Sequence, residues 1–438
     1  MAGSSLTRRW NAAPRGLQAV RSFATDRRGA VALMFGLLLL PLTFAVGAAL
    51  DFTKASTAKA QLDAAIDSAA LSTVSKSYLG QPPNVARAAA IQTFNDIARN
   101  VPGVQLGSVD VRVDDTNAAR TTTGTYAATI TTAFIGIVGM RTLTLSGTSV
   151  ASNTRAPYID FHLLLDNSPS MGVAATVADI QRMQSLTANT PDGTCAFACH
   201  ITGSTNDNYA LAKANGVQMR IDVVRSATQQ LLDTADTAAI LPRQFRTAIF
   251  SFGESCTNPG LTTLSPLNAS NNAARQAMTS LDLMAIPYQN YNNDQCSDFN
   301  TIMTAANQAV ADPGQGASPS SPQKVVMIVS DGLADYYNAS ACTKPTTGGR
   351  CQEPMNPALC TAIKTRGIKI AVLYTTYLPI PDNGWYNQWI APFQPSMSSI
   401  MQSCASPDLF FEVSPSQGIA EAMQALFRKA IAQARFTQ

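Results

Sequence analysis

The chain has 438 residues, 46% apolar and only 13% charged, enough to fill the cores of roughly three domains of ordinary size and too apolar for a disordered tail. Its formal net charge of +3 is unevenly placed: residues 1–28 hold six arginines against one aspartate, which leaves −2 for the remainder. A nucleic-acid binder needs a concentrated basic surface, and the body of this chain has no charge surplus to build one.

Directly after Arg27 and Arg28 comes Gly29 to Leu50, 22 residues without a charge, closed by Asp51. At about 1.5 Å per residue such a run spans a bilayer core of about 30 Å, and a helix in lipid tolerates the central Pro41. Arginines before the run and none directly after it predict a cytoplasmic head at 1–28, a transmembrane helix at 29–50 and an extracytoplasmic body. The alternative is a secretory signal cleaved near Ala45-Val46-Gly47, which would make the chain a secreted one. The run is longer than the usual signal core of about 7–15 residues, which favours an uncleaved anchor.

Past Asp51, Phe52, Ala55, Ala58, Leu62, Ile66 and Ala69 recur at helical spacing without Gly or Pro, so a helix is expected to continue out of the membrane. A second helix is expected over Pro83–Asn100, with Pro83 at its start. Alternating stretches at 104–113, 125–138 and 142–152, rich in Thr, Val and Ile, predict three strands. Residues 51–154 thus read as a helical stalk with a small β module.

Arg28-Gly29-Ala30-Val31-Ala32 opening the apolar run, then Asp51-Phe52 and the tract from Lys59 to Leu71 (KAQLDAAIDSAAL), resemble the N-terminal region of TadG-like proteins of tight-adherence (Flp) pilus assembly. The resemblance covers about residues 27–78 and implies other pilus components as partners. Related TadE-type pseudopilins carry a glutamate five residues past the cleaved glycine; here that position is Met34.

From residue 155 onward strand-like and helix-like stretches alternate, which predicts an α/β domain, a doubly wound, mostly parallel sheet with loop insertions. The expected strands are 159–165, 245–252, 324–329, 368–374 and 409–413; the expected helices are 219–233, 271–283, 299–310 and 417–434. Extra loops are expected at about 190–208, 253–296 and 335–362.

Ligands of open α/β sheets bind beyond the carboxyl ends of the strands. The first strand is followed by Asp166-Asn167-Ser168-Pro169-Ser170, and the third by Ser330-Asp331-Gly332. Carboxylates and hydroxyls at one sheet edge form a hard-oxygen set suited to Mg²⁺, with Mn²⁺ or Ca²⁺ as alternatives. Each aspartate alone could equally cap a helix or close an Asx-turn. Asp335, four residues past Asp331, reads as a solvated loop residue, with a supporting partner of the metal ligands as the alternative.

Asp-x-Ser-x-Ser after one strand and Ser-Asp-Gly after a later one resemble the metal-ion-dependent adhesion site of von Willebrand factor A domains. The resemblance implies metal ligands at Asp166, Ser168, Ser170 and Asp331, completed by a hydroxyl from another loop. Ser297 stands at that position, with Phe299 and Met303 at the apolar offsets of the following helix, and Thr301 is the alternative. It further implies a protein ligand that presents a carboxylate.

All eight cysteines (Cys195, Cys199, Cys256, Cys296, Cys342, Cys351, Cys360 and Cys404) lie in loop-like text of the second half, which predicts disulfides and an oxidising compartment. Loop proximity suggests Cys195–Cys199 and Cys256–Cys296. Cys195-Ala196-Phe197-Ala198-Cys199-His200 has three residues between its cysteines where a haem attachment motif has two. Zinc there would need a further ligand, and the other histidine, His162, falls inside the first strand, where a packed core residue is expected.

These features predict a membrane-anchored, non-enzymatic binding protein of pilus assembly or adhesion. One alternative is an envelope or pilus scaffold with a purely stabilising metal. Another is a serine hydrolase using Ser168 or Ser170, which needs a base within reach and lacks a Gly-x-Ser-x-Gly elbow.

Overall fold

The computed structural model describes residues 29–116, 119–190, 193–268, 270–289, 291, 296–336, 342–343, 351–414 and 418–436; the basic head expected at 1–28 lies outside them. Two compact units emerge, one from Met1–Val74, Pro82–Asp114 and Thr121–Ala151, the other from Ser75–Gln81, Asp115–Arg120 and Ser152–Gln438.

The smaller unit begins with α1 (Ala30–Thr73), one helix of 44 residues with Pro41 inside it. Its first part is exposed, and is long and apolar enough to cross a membrane. Its second part buries Ala55, Ala58, Leu62, Ala65, Ile66 and Ala69 along one face, the spacing of an amphipathic helix. They pack with Phe94 of α2 (Pro83–Ala98) and with Val111, Tyr126 and Leu145. The last three come from β1 (Val104–Asp115), β2 (Ala119–Thr131) and β3 (Thr142–Thr154), a three-stranded sheet in that order.

Phe52, expected on the buried face, is exposed, and Asp51 takes the place four residues before Ala55. Its carboxylate accepts the backbone N–H groups of Ala133, Phe134 and Ile135 at 3.0, 2.8 and 2.9 Å. Those bonds hold its carboxyl below the usual carboxylate range. They also fix the short 3₁₀ turn Ile135–Val138, so the middle strand, expected to run to 138, stops at Thr131.

The larger unit runs β4 (Ile159–Leu165), α3 (Val177–Thr187), α4 (Asn208–Ala214), α5 (Arg220–Ala238), β5 (Phe245–Ser255), β6 (Asn258–Asn268), α6 (Asn271–Ala277) and α7 (Phe299–Ala309). It continues with β7 (Gln323–Ser330), β8 (Leu333–Tyr336), β9 (Cys351–Pro354), α8 (Ala358–Lys364), β10 (Lys369–Thr375), α9 (Gly384–Trp389), α10 (Gln394–Cys404), β11 (Phe410–Val413) and α11 (Ile419–Phe436). The main sheet has the order β11-β10-β7-β4-β5-β6, parallel except for β6.

Strand β6 falls where a loop is expected. Its Pro259, Gly260 and Pro266 read as breakers, yet an edge strand tolerates them, and its pairing with β5 is interrupted by several register shifts. Phe245 and Phe252 stand seven residues apart on β5 and so point to opposite faces. Phe427 of α11 packs on Phe245, and Phe299 of α7 packs on Phe252, so both faces carry helices. The chain leaves β4 for β5 and β6 on one side, then crosses to β7, β10 and β11 on the other. The strand order therefore reverses at β4 and β7, where doubly wound folds form a crevice.

Candidate metal centre

The register of β4 on β7 pairs Leu165 with Val329, so the next residues of each strand, Asp166 and Ser330, emerge side by side. Asp166 is fully buried. Its Oδ1 accepts the backbone N–H of Ser168 at 2.9 Å and the Ser168 hydroxyl at 2.6 Å, and its Oδ2 accepts the Ser330 hydroxyl at 2.6 Å. The Ser168 and Ser170 hydroxyls lie 3.0 Å apart. Between Asp166 and Ser168 in sequence, Asn167 pins the loop to the end of β5, donating to Gly253 O and Asp282 O and accepting from Phe252 N at 2.9, 3.0 and 3.0 Å. Asp331, also fully buried, accepts the backbone N–H of Leu333 at 3.1 Å through Oδ1 and the Tyr377 hydroxyl at 2.6 Å through Oδ2.

The charges do not balance. Buried Arg220, the first residue of α5, approaches Asp331 Oδ2 at 3.4 Å while donating to Thr375 O and Oγ1 at 2.6 and 2.7 Å. Among the described residues Asp166 has no cation in ion-pair contact, and burial followed by the nearby Asp331 charge pushes its carboxyl up to about 7 despite the bonds from Ser168 and Ser330. Burial and Asp331 also raise the Tyr377 hydroxyl well above its usual range. Two buried carboxylates share one guanidinium, amid neutral hydroxyl oxygens. A hard divalent cation fits that set, since it supplies the missing positive charge and prefers oxygen ligands.

Ser168 and Ser170 open onto a cleft of about 350 Å³, which Ser297, Asp335, Phe197, Tyr291 and Trp385 also line. Ser297 is buried and joined to Asp335 by two backbone hydrogen bonds of 3.0 and 3.1 Å, which brings its loop to the serines. Thr301, the alternative to Ser297, lies exposed in the first turn of α7 with its hydroxyl donating to Asp298 at 2.7 Å.

The Tad family model, of TadE/G-like proteins of Flp pilus assembly, matches residues 29–76. The N-terminal segment is TadE/G-like. No curated protein matches the sequence. Among solved structures, the vWF domain of the type V pili tip protein Mfa5 from Porphyromonas gingivalis is 11% identical, with a TM-score of 0.36 over 64% of this chain and 97% of that one. Proximal thread matrix protein 1 from the mussel byssus is 14% identical, with a TM-score of 0.31 over 63% of this chain and 46% of that one. The chain thus spans under half the length of the mussel protein. A further structure of the mussel protein has a zinc-occupied MIDAS motif (14% identity, 62% and 46% coverage, TM-score 0.29).

Beyond the TadE/G-like segment, the cysteines stand in the larger unit. Disulfides join Cys256 to Cys296, Cys342 to Cys351 and Cys360 to Cys404. The first ties the end of β5 to the residue preceding Ser297. Cys195 and Cys199 line the cleft, and Cys195 Sγ accepts the backbone N–H of Phe197 at 3.3 Å. His162 is buried in β4, stacked on Phe250, and desolvation lowers it to about 4. His200 Nδ1 lies 3.1 Å from Asp207 Oδ2.

The expectation that Asp335 is a solvated loop residue is corrected. It is buried on β8, where Gln352 donates to its carboxylate at 3.4 Å, because β8 pairs with β9 inside the stretch that reads as loop. Arg220, Tyr377 and the role of Ser330 are absent from the sequence reading. Ser330 had a signal, since its hydroxyl directly precedes Asp331. Arg220 and Tyr377 had none, as they reach Asp331 across 111 and 46 residues.

Proposed function

We propose that the larger unit binds a protein partner through a hard divalent cation, Mg²⁺ first, held by Asp166, Ser168, Ser170, Ser297 and Asp331. The buried excess of carboxylate over cation at the β4 and β7 ends carries this reading. When bound, the cation supplies an open coordination position suited to a carboxylate oxygen from the partner. Asn167 and Ser330 hold the Asp166 loop in place, Arg220 and Tyr377 hold Asp331, and the apolar walls at Phe197 and Trp385 lower the dielectric around an incoming charge.

The apolar part of α1 anchors the chain, with the arginine-rich head cytoplasmic and the two units outside. Three disulfides among the described residues support an oxidising compartment for the larger unit. Together with the TadE/G-like segment, this describes an anchored binding protein of a tight-adherence pilus apparatus.

The test is thermal denaturation of the full chain in detergent during Mg²⁺ titration. The wild-type midpoint should rise and that of Asp166→Ala should stay level; an equal rise in both overturns the assignment. A folded, exported Asp166→Ala chain should also lose surface adherence. Undiminished adherence would reduce the cation to a scaffold role.

A further inference from the structure

The loop joining β2 to β3 presents apolar surface outside the candidate metal centre. Phe134, Ile137, Val138 and Met140 are 41%, 78%, 63% and 54% exposed, and exposed Arg141 follows them. Four large apolar side chains on seven residues of loop form a patch that water disfavours.

The loop is held firmly. Thr132 closes its base, its N–H donating to Arg141 O at 3.1 Å and its hydroxyl to Met140 O at 2.5 Å. Gly139 turns the chain with a left-handed φ of 103°. Asp51 binds the backbone of residues 133–135 through three hydrogen bonds.

Two contacts on one helix face set the loop's level along α1. One is Asp51, where the apolar run ends. The other is Gly47, whose missing side chain makes room for the Phe134 ring, which any Cβ there would overlap. Gly47 lies four residues before Asp51, about 6 Å further into the apolar run. A ring against Gly47 therefore sits at the depth of the membrane boundary when Gly29–Leu50 crosses the bilayer.

We propose that the Phe134–Met140 loop is a second membrane contact, seating its apolar side chains in the headgroup and acyl boundary of the leaflet nearest Asp51. The proposal rests on the anchor reading of Gly29–Leu50. A single helix leaves the attached unit free to tilt, whereas a second apolar contact beside it restrains the unit, as interfacial anchors restrain a spanning helix. Arg141 falls where lipid phosphates lie.

The test uses the full chain carrying Ile137→Trp, reconstituted into phosphatidylcholine vesicles with and without bromine on the acyl chains. Arg112→Trp serves as control, since its exposed site on β1 lies near the turn into β2, about eight strand residues or roughly 25 Å from the base of the loop at Thr131. Relative to the unsubstituted chain, the emission added by Ile137→Trp should be blue-shifted and lost in brominated vesicles, while that added by Arg112→Trp persists. Equal persistence of both in a chain that floats with the vesicles overturns the proposal. A blue shift without quenching also overturns it, because protein rather than lipid would then cover the loop. A chain that fails to float refutes the anchor, and this proposal with it, while the Asp166 titration stays independent.

Discussion

The two ends of β4 place buried carboxylates in opposite electrostatic settings. At the start of the strand, Asp160 has Arg246 and Lys324 as its register partners on the flanking strands. Arg246 grips both its oxygens at 2.7 Å, and Lys324 adds a contact of 2.5 Å. Six residues on, Asp166 and Asp331 share Arg220, which contacts Asp331 alone of the two. The first end is closed and over-supplied with positive charge. The second is under-supplied, lined by hydroxyls and open to a cleft. Both bury carboxylates, so burial by itself does not mark a site; the sign of the local imbalance and access to solvent do.

The contrast can be tested at four points. Asp160→Ala leaves Lys324 and Arg246 buried without a partner, and should cost about 3–5 kcal/mol in denaturant unfolding whether or not Mg²⁺ is present. A smaller loss than Asp166→Ala shows would reverse the roles of the two ends. Replacing Cys256 and Cys296 together by serine should cost about 2–4 kcal/mol, the range for a native loop-closing bridge. It should also weaken Mg²⁺ stabilisation by loosening Ser297, and an unchanged Mg²⁺ midpoint would remove Ser297 from the ligand set.

Asp166→Ala should forfeit the stabilisation that Mg²⁺ gives wild type, about 2.7 kcal/mol at a hundredfold excess over Kd. Counted per pH unit, the smallest effect is that of pH. The folded Asp166 carboxyl stands near 7 against an ordinary 3.8, so between those values the folded chain holds a proton that the unfolded chain releases. With metal chelated, stability should therefore fall as pH rises through that window, by at most about 1.4 kcal/mol per pH unit. Saturating Mg²⁺ should flatten the slope by displacing the proton, and a slope unchanged by Mg²⁺ would mean that Asp166 does not meet the cation.

Local pattern was enough for some of this architecture. β4 appears at the expected residues, β7 and β10 within a residue or two, and α1 and α2 follow their apolar spacing, since period and composition alone distinguish those segments. β6 was hidden by its prolines, whose effect depends on whether a strand lies at an edge. Phe52 and Asp51 exchanged places because a carboxylate can be buried where three backbone N–H groups await it, and those come from a loop some 80 residues away.

The same division holds at the site. Asp166, Ser168, Ser170 and Asp331 are legible because they stand within a few residues past the ends of apolar strands, and a parallel sheet brings such ends together. That Arg220 answers one carboxylate and not the other, that Asp335 is buried beside Ser297, and that Phe134 lies against Gly47 rest on long-range packing. Short-range sequence specifies which residues carry charge, apolar surface or backbone freedom. Only the folded chain decides which charges are left uncompensated and which apolar surfaces uncovered, because both depend on neighbours distant in sequence.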